Sequence, residues 1–292
     1  MSNAIHFLNT GAGDCIILES NNHFAMIDCA EDTEYPADKP HLKAKGYENE
    51  ILDYLLKNCA DENGRVNLDF VLGTHAHSDH IGGFDTIISD ARINVGKAYL
   101  KPYDDKDTFI YERVRWDNDI VYLQMKNALE SRGVPIIESF EKKQIMLGEF
   151  KLTFINGERK KHIFKYGENV DSVGVILEFR NFRAYFAGDM NNKAHDETRY
   201  AKYIGRVDLL KVGHHGYPYS TTVGFLKKLM PKYAVVCNSE KRIYPHVKFK
   251  LKNISKSKIY CTVDSNGVKV VLGDGVKPVS YTHLRAHETT LH

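Results

Sequence analysis

The chain has 292 residues, with 40 lysines and arginines against 38 acidic residues and 42% hydrophobic side chains. That length suits one large domain with its own core. The formal net charge of +2 excludes a general electrostatic attraction to nucleic acid or an anionic membrane and leaves only a local basic groove open.

Five cysteines, Cys15, Cys29, Cys59, Cys237 and Cys261, are odd in number and form no CxxC pair. This fits free thiols in a reducing compartment better than a disulfide frame. The first residues hold no basic stretch followed by an apolar one, and no run is long and apolar enough to span a membrane. A cytoplasmic location is therefore expected, or an extracellular one if an export signal has been removed.

Residues 4–8 read as a short strand, and 9–14 turn the chain. Residues 15–19 and 24–28 form a β-hairpin around Ser20-Asn21-Asn22. Asp28 ends the third strand, where it either orients a metal-bound imidazole or caps the strand end. Residues 29–46 are rich in charge and contain Pro36 and Pro40. They are too many for a plain connection and are expected at a substrate rim. Ile51, Leu52, Leu55 and Leu56 fall on one face of an amphipathic helix over 48–59.

The apolar run 68–72 reads as a buried strand, ended by Gly73. At its C-terminal end stands Thr74-His75-Ala76-His77-Ser78-Asp79-His80-Ile81-Gly82-Gly83, with three histidines and one aspartate in six positions. Imidazole with carboxylate suits Zn²⁺, and also Mn²⁺ or Fe²⁺. Four such groups this close cannot all reach one ion. His75 and His77 are assigned to one metal, Asp79 and His80 to a second. Gly82-Gly83 is expected to turn the backbone tightly into a helix running to Ile88.

Residues 95–100 form another strand. A second charged insertion, 101–119, carries Tyr103, Tyr111 and the single tryptophan, Trp116. Rings beside acids suit either a cage for a quaternary ammonium or plain packing anchors for a long loop. A helix over 120–132 ends at Gly133. Strands follow at 134–137, 144–147 and 150–155, then a polar loop, 156–171, and a hairpin of 172–179 with 182–187. Asp189 stands at the end of that hairpin, where an aspartate by itself reads as the cap of a helix over 190–204. Strand 207–212 presents Gly213-His214-His215-Gly216, a second histidine-rich strand end. One ring is expected to complete a metal shell while the other faces substrate. A helix over 221–230 and a strand over 233–237 come next. His246, in Ile243-Tyr244-Pro245-His246, is a further candidate ligand. Strands 260–263 and 268–272 close the sheet. From Pro278 the sequence reads like a translated sequencing adapter, so 278–292 is treated as a non-native tail and 1–277 as a single domain.

His-x-His-x-Asp-His after an apolar strand, followed in order by Ala187-Gly188-Asp189 and Lys211-Val212-Gly213-His214-His215-Gly216, resembles the metallo-β-lactamase fold superfamily. The resemblance implies an α/β (α+β) chain folded as a four-layer αββα sandwich in a single domain. It also implies two divalent metal ions, zinc first with manganese or iron as alternatives, and Asp189 bridging them. Two branches are nearest. Ile5-His6-Phe7-Leu8, His23-Phe24-Ala25-Met26-Ile27-Asp28, Trp116-Asp117-Asn118 and Gly205-Arg206-Val207-Asp208 resemble the catalytic module of teichoic acid phosphorylcholine esterase. Residues 211–216 and 244–246 are more similar to the domain attached to competence channel proteins. The family's usual third-ligand histidine has no counterpart, and Asn169 or Asp171 lies where it is expected.

The activity implied is hydrolysis of a phosphodiester, small molecule or polymer, by a hydroxide shared between the cations. A phosphorylcholine ester is the specific substrate expected, with Trp116 and Tyr217 beside it. His75 and His77 then hold the first metal, Asp79 and His80 the second, and Asp189 both. His214 is placed on metal, and His215 near the phosphate to stabilise the transition state or protonate the leaving oxygen. Asp79, Asp189 and His215 form the catalytic set. The alternatives are a competence-type nuclease, with a basic groove and salt-sensitive activity on nucleic acid, and a catalytically silent metal-binding interaction module.

Overall fold

Strands with alternating apolar residues open the chain as an antiparallel meander of β1 (Asn3–Phe7), β2 (Ile16–Ser20) and β3 (His23–Ile27). In this computed structural model, which describes residues 2–161 and 164–273, β3 then pairs in parallel with β4 (Val66–Gly73). β4 pairs with β5 (Ile93–Val95) and β6 (Ala98–Leu100), and β6 with β7 (Ile136–Ile137), all parallel. The crossovers carry α1 (Glu48–Asn58), α2 (Ser78–Ile81), α3 (Phe84–Ser89), α4 (Ile110–Arg115) and α5 (Asn118–Ser131).

The second half repeats this plan. Antiparallel β8 (Gln144–Leu147), β9 (Phe150–Ile155), β10 (Gly174–Phe179) and β11 (Phe182–Phe186) lead to parallel β12 (Leu209–Lys211), β13 (Tyr233–Val236) and β14 (Lys258–Cys261). Between these strands lie α6 (Asp196–Ile204), α7 (Val223–Leu229) and α8 (Pro245–Asn253), and β15 (Val268–Val271) returns to pair with β1. The expected tail, 278–292, lies outside the described residues.

Phe7, Phe70, Tyr99, Phe150, Phe154, Phe182 and Phe186 fill the space between the two sheets. Burying each ring stabilises the fold by about 1.5–3 kcal/mol. Val71, Ile81, Ile87, Met125 and Leu129 pack the outer face of the first sheet against its helices. Leu210, Ile204, Leu226 and Leu251 do the same on the second. The layers run helix, sheet, sheet, helix, as the resemblance implied. All five cysteines are free and buried. Among the described residues no helix is long and apolar enough to cross a membrane.

Several elements depart from the sequence reading. Phe24 stands opposite Leu68, but Ala25 stands opposite Phe70, so Asp69 is an extra residue in β4. This bulge resets the alternation. Leu68 packs beneath the helices, while Phe70 and Leu72 enter the space between the sheets. The strand expected over 95–100 is split at Gly96, where a Cβ would stand 2.7 Å from the bulge's Asp69 carbonyl oxygen. The helix expected over 190–204 begins only at Asp196. Before it, Asn191 and Asn192 side chains accept from the backbone N–H groups of Lys193 and Thr198, which competes with helix formation. Residues 245–253 form a helix that the sequence reading lacked, and Pro245 sits in its first turn, where no N–H is needed.

Gly82 and Gly83 do not act as expected either. Their backbone angles, φ −54° and φ −76°, are open to any residue. Crowding selects them instead. A Cβ at Gly82 would lie 2.6 Å from Ser78 O and 2.7 Å from Asp32 N, and one at Gly83 would lie 2.7 Å from Cys29 O. Because those neighbours are backbone, Gly82→Ala is expected to destabilise the fold by about 1–3 kcal/mol. A urea midpoint unchanged from the wild type would contradict that.

Candidate metal centre

The parallel strands of both sheets aim their C-terminal ends at one edge, the usual place for a ligand in such sheets. β3 delivers Asp28 there, β4 delivers residues 74–80, β11 delivers Asp189, and β12 delivers residues 213–216. Asp14 joins them from the turn before β2.

Asp28 is buried and accepts from Thr74 N at 2.8 Å, from Thr74 Oγ1 at 2.8 Å and from His80 Nδ1 at 2.7 Å. Its carboxylate is thus occupied in orienting its neighbours. The Thr74 hydroxyl gives its proton to Asp28, so it accepts from His75 Nδ1 at 3.1 Å. His77 Nε2 donates to Glu112 Oε2 at 3.3 Å, and His215 Nδ1 stands 3.3 Å from Asp14 Oδ1. Hydrogen bonds thus fix the tautomers of His75, His77 and His80, because a neutral imidazole has a single N–H, and the Asp14 carboxylate facing Nδ1 favours the same choice in His215. They leave His75 Nε2, His77 Nδ1, His80 Nε2 and His215 Nε2 bare.

The bare nitrogens face one another. His75 Nε2 lies 3.0 Å from His77 Nδ1, and His80 Nε2 lies 3.0 Å from His215 Nε2. Asp189 Oδ1 stands 3.2 Å from His80 Nε2 and 3.3 Å from His215 Nε2, and Asp79 Oδ2 is 3.3 Å from His215 Nε2. Asp189 Oδ1 is buried with no hydrogen-bond partner. Asp14, His80, Asp189 and His215 offer ligand atoms within 4.8 Å of one another. Lone pairs this close repel unless something positive lies between them, so the donor set fits divalent cations.

The local field agrees. Burial works against charge on His80, yet Asp189, Asp28, Asp79 and Asp14 outweigh it and lift that ring to about 10, so without a bound cation its Nε2 takes a second proton, which a metal there would displace. His75 is instead held well below the ordinary histidine value by burial and by its neighbours His80 and His77.

Besides Glu112, two contributors escaped the sequence reading. Lys211 is fully buried, donates to Gly188 O at 2.9 Å and pairs with the Asp14 carboxylate. Burial pushes the Asp14 carboxyl up, but Lys211, His215 and His80 overcome this and hold it below the ordinary range. A lysine inside the apolar run Leu209-Leu210-Lys211-Val212 was the available signal, since buried lysines need partners. Asp14, which ends a glycine-rich turn, was the less visible half.

The structure also reverses the order assigned to the paired histidines. His214 and His215 both take left-handed backbone angles, φ 53° and 47°, which swing consecutive rings apart. His215 turns inward among Asp79, His80 and Asp189. His214 turns to the cavity wall, where Nδ1 donates to Pro218 O at 3.0 Å and Nε2 accepts from Asn169 Nδ2 at 3.2 Å. Of the two residues at the missing histidine's place, Asn169 lines the cavity. Asp171 points elsewhere, 3.6 Å from Lys101 Nζ and 3.7 Å from Arg159 Nη1. His246 is not brought to the cluster. It is exposed in the first turn of α8, its ring beside Tyr244.

A cavity of about 700 Å³ opens over the cluster, lined by Asp79, Asp189, His214 and His215 together with Trp116 and Tyr217. Trp116 stands edge-on to His77 with ring centroids 4.7 Å apart, and Tyr217 touches both His214 and His215. Lys45, Arg242, Glu31 and Asp117 complete the charged part of its wall.

The family model of the metallo-β-lactamase superfamily matches residues 8–239. Over 187 residues the chain is 24% identical to ComE operon protein 3 of Bacillus subtilis (strain 168), covering 63% of this chain and 21% of that protein. The chain therefore spans about a fifth of the length of this curated relative. Two solved structures share the fold. One is the metallo-β-lactamase fold protein YhfI from Bacillus subtilis, with TM-score 0.52 and 11% identity, covering 88% of this chain and 96% of that one. The other is Zn²⁺-bound PqqB from Methylobacterium extorquens, with TM-score 0.53 and 10% identity, covering 88% and 97%. A match across most of the length, on a helix–sheet–sheet–helix frame with an Asp/His cluster at the shared strand edge, places the chain in the metallo-β-lactamase superfamily, whose members are mostly hydrolases or related metalloenzymes.

Proposed function

We propose that the chain is a phosphodiester hydrolase working with two divalent cations, zinc first. His75 Nε2 and His77 Nδ1 would hold one. Asp79, His80 Nε2 and His215 Nε2 would hold the other, with Asp189 shared. The observation that carries this reading is the meeting of imidazole nitrogens in two facing pairs, His75 with His77 and His80 with His215, the second pair bordering a buried Asp189 oxygen that accepts no hydrogen bond. When bound, such a pair of cations lowers the pKa of water and neutralises charge on phosphoryl oxygens.

The chain's own groups divide the remaining work. Asp28, Thr74 and Asp14 hold the ligand rings in one tautomer each. His214 Nε2 accepts from Asn169 Nδ2, which leaves Asn169 Oδ1, buried and without a partner, as a further candidate ligand at the cavity wall. His215 lies within the cluster, so it is not the acid that protonates a leaving oxygen. Arg242 offers a positive charge to an anionic substrate at the cavity wall, whereas Lys45 there is paired with Glu50.

A phosphorylcholine ester is the finer reading. Trp116 lies in the same cavity wall as Glu31 and Asp117, a surrounding that suits a quaternary ammonium. Trp116→Leu is expected to raise KM for p-nitrophenyl phosphorylcholine by roughly 5–30-fold, the worth of a desolvated cation–π contact. KM for bis-p-nitrophenyl phosphate should change by less than about twofold, because that substrate has no cation to lose. Equal effects on both would remove choline from the reading. The deciding screen supplies Zn²⁺ or Mn²⁺ and compares these two esters with a cyclic dinucleotide and single-stranded DNA. Cleavage confined to DNA and falling with salt would favour the nuclease. Two bound metal equivalents with no ester cleaved would leave the silent metal-binding module.

A further inference from the structure

The ring-orienting partners of His75, His80 and His215 trace back to Asp28 and Asp14, both beside strands of the first sheet. His77 is different. Its partner, Glu112, lies 35 residues further on, in α4 of the second insertion. Both residues are buried, at 6% exposure for His77 and 7% for Glu112. The Glu112 Oε2 that accepts from His77 also accepts from the backbone N–H of Glu168, at 2.8 Å. Its other oxygen fills the space above Gly167, where a Cβ would overlap Oε1. One carboxylate therefore links the inserted helix, a ring of the first metal pair, and the 168–171 turn that carries Asn169.

We propose that Glu112 is the positioning residue of the first metal pair, and that through it the inserted segment 101–119 sets how tightly the His75–His77 site holds its ion. A carboxylate on Nε2 stabilises the tautomer with Nδ1 bare, turns Nδ1 toward His75 Nε2, and makes Nδ1 a stronger donor. The site of His80 and His215 has its own carboxylates and does not depend on the insertion. The two sites thus differ in what keeps them formed: the first needs α4 seated, the second does not. This inference rests on the two-cation reading above.

The test is competition of Zn²⁺ against a chromophoric chelator, with Co²⁺ visible spectra as a second readout, on the purified full chain. The wild type should hold two tight equivalents. Glu112→Ala should keep one and weaken the other by about 10–100-fold, the usual effect of removing a ligand's outer partner. Glu112→Gln keeps an acceptor oxygen and should fall between. Gly167→Ala retains the carboxylate but crowds it off its seat, and should weaken the same equivalent. Arg183→Gln is the control. It removes the 3.2 Å hydrogen bond to Ile204 O and the ion pair with Glu178, both away from the 168–171 turn and from α4, so the melting temperature should fall with both equivalents still tight. Two tight equivalents in both Glu112 variants overturn the inference and leave the two-cation reading standing. Loss of both equivalents from a variant still folded by circular dichroism overturns it too, as a general structural effect. A wild type that binds no metal overturns the inference together with that reading. Should Glu112→Ala not fold, the Gln and Gly167→Ala variants decide.

Discussion

Asp189→Ala is expected to slow phosphodiester hydrolysis by at least about 10³-fold, equivalent to ~4 kcal/mol of activation free energy. Its Oδ1 is within 3.3 Å of both His80 Nε2 and His215 Nε2. That oxygen is buried and accepts no hydrogen bond. Alanine removes the shared anion without offering a substitute. The fold should survive, because the local backbone is fixed by other contacts: Asp189 N donates to Ser172 Oγ and Met190 N to Ala187 O. Lys211 also keeps Asp14 as its partner. Steady-state rates measured beside metal content and a thermal melt check the prediction. A variant that keeps most of its activity would refute the role given to this residue.

The largest effect on stability is expected at Lys211. Lys211→Met strands the Asp14 carboxylate, 1% exposed, without its cation. Removing one partner of a buried pair costs about 3–5 kcal/mol, because the survivor must be protonated or left uncompensated. For a domain of this size that is ~10 °C in Tm. Replacing a whole buried pair by neutral groups of similar volume is often tolerated. Adding Asp14→Asn to Lys211→Met should therefore recover most of the lost stability. Activity should not return with it, since the carboxylate facing His215 Nδ1 stays absent. Chemical denaturation of the two single variants and the double variant completes the cycle. A double variant no more stable than Lys211→Met would show that the pair does not act as a unit.

The residues legible in the sequence were those whose meaning is local. His75, His77, Asp79 and His80 sit within six positions at the end of an apolar strand, and Asp28 and Asp189 likewise end strands. Their clustering follows once the strands pair. Asp14, Lys211 and Glu112 were not legible because their roles come from partners far along the chain. Glu112 meets His77 across 35 residues, and Lys211 meets Asp14 only when two sheets pack together. The order of His214 and His215 was hidden for another reason. It depends on backbone angles that a His-His pair does not announce, and on the Pro218 carbonyl that claims one ring. His246 looked like a ligand because 243–246 follows the end of a strand, as the other candidates do, whereas Pro245 begins a helix there. The glycines after the motif were found for the wrong reason: neighbouring backbone, not a special turn, forbids a side chain there.

The turn at residues 213–216 sets two demands against each other. Left-handed angles disfavour a side chain by roughly 1–2 kcal/mol per residue, and here two successive positions with imidazoles adopt them. Glycine at either position would ease the backbone and delete a ring. The most comfortable version of this loop and the working version are thus different sequences, and a chain refined for durability alone would drift away from its chemistry at this point first.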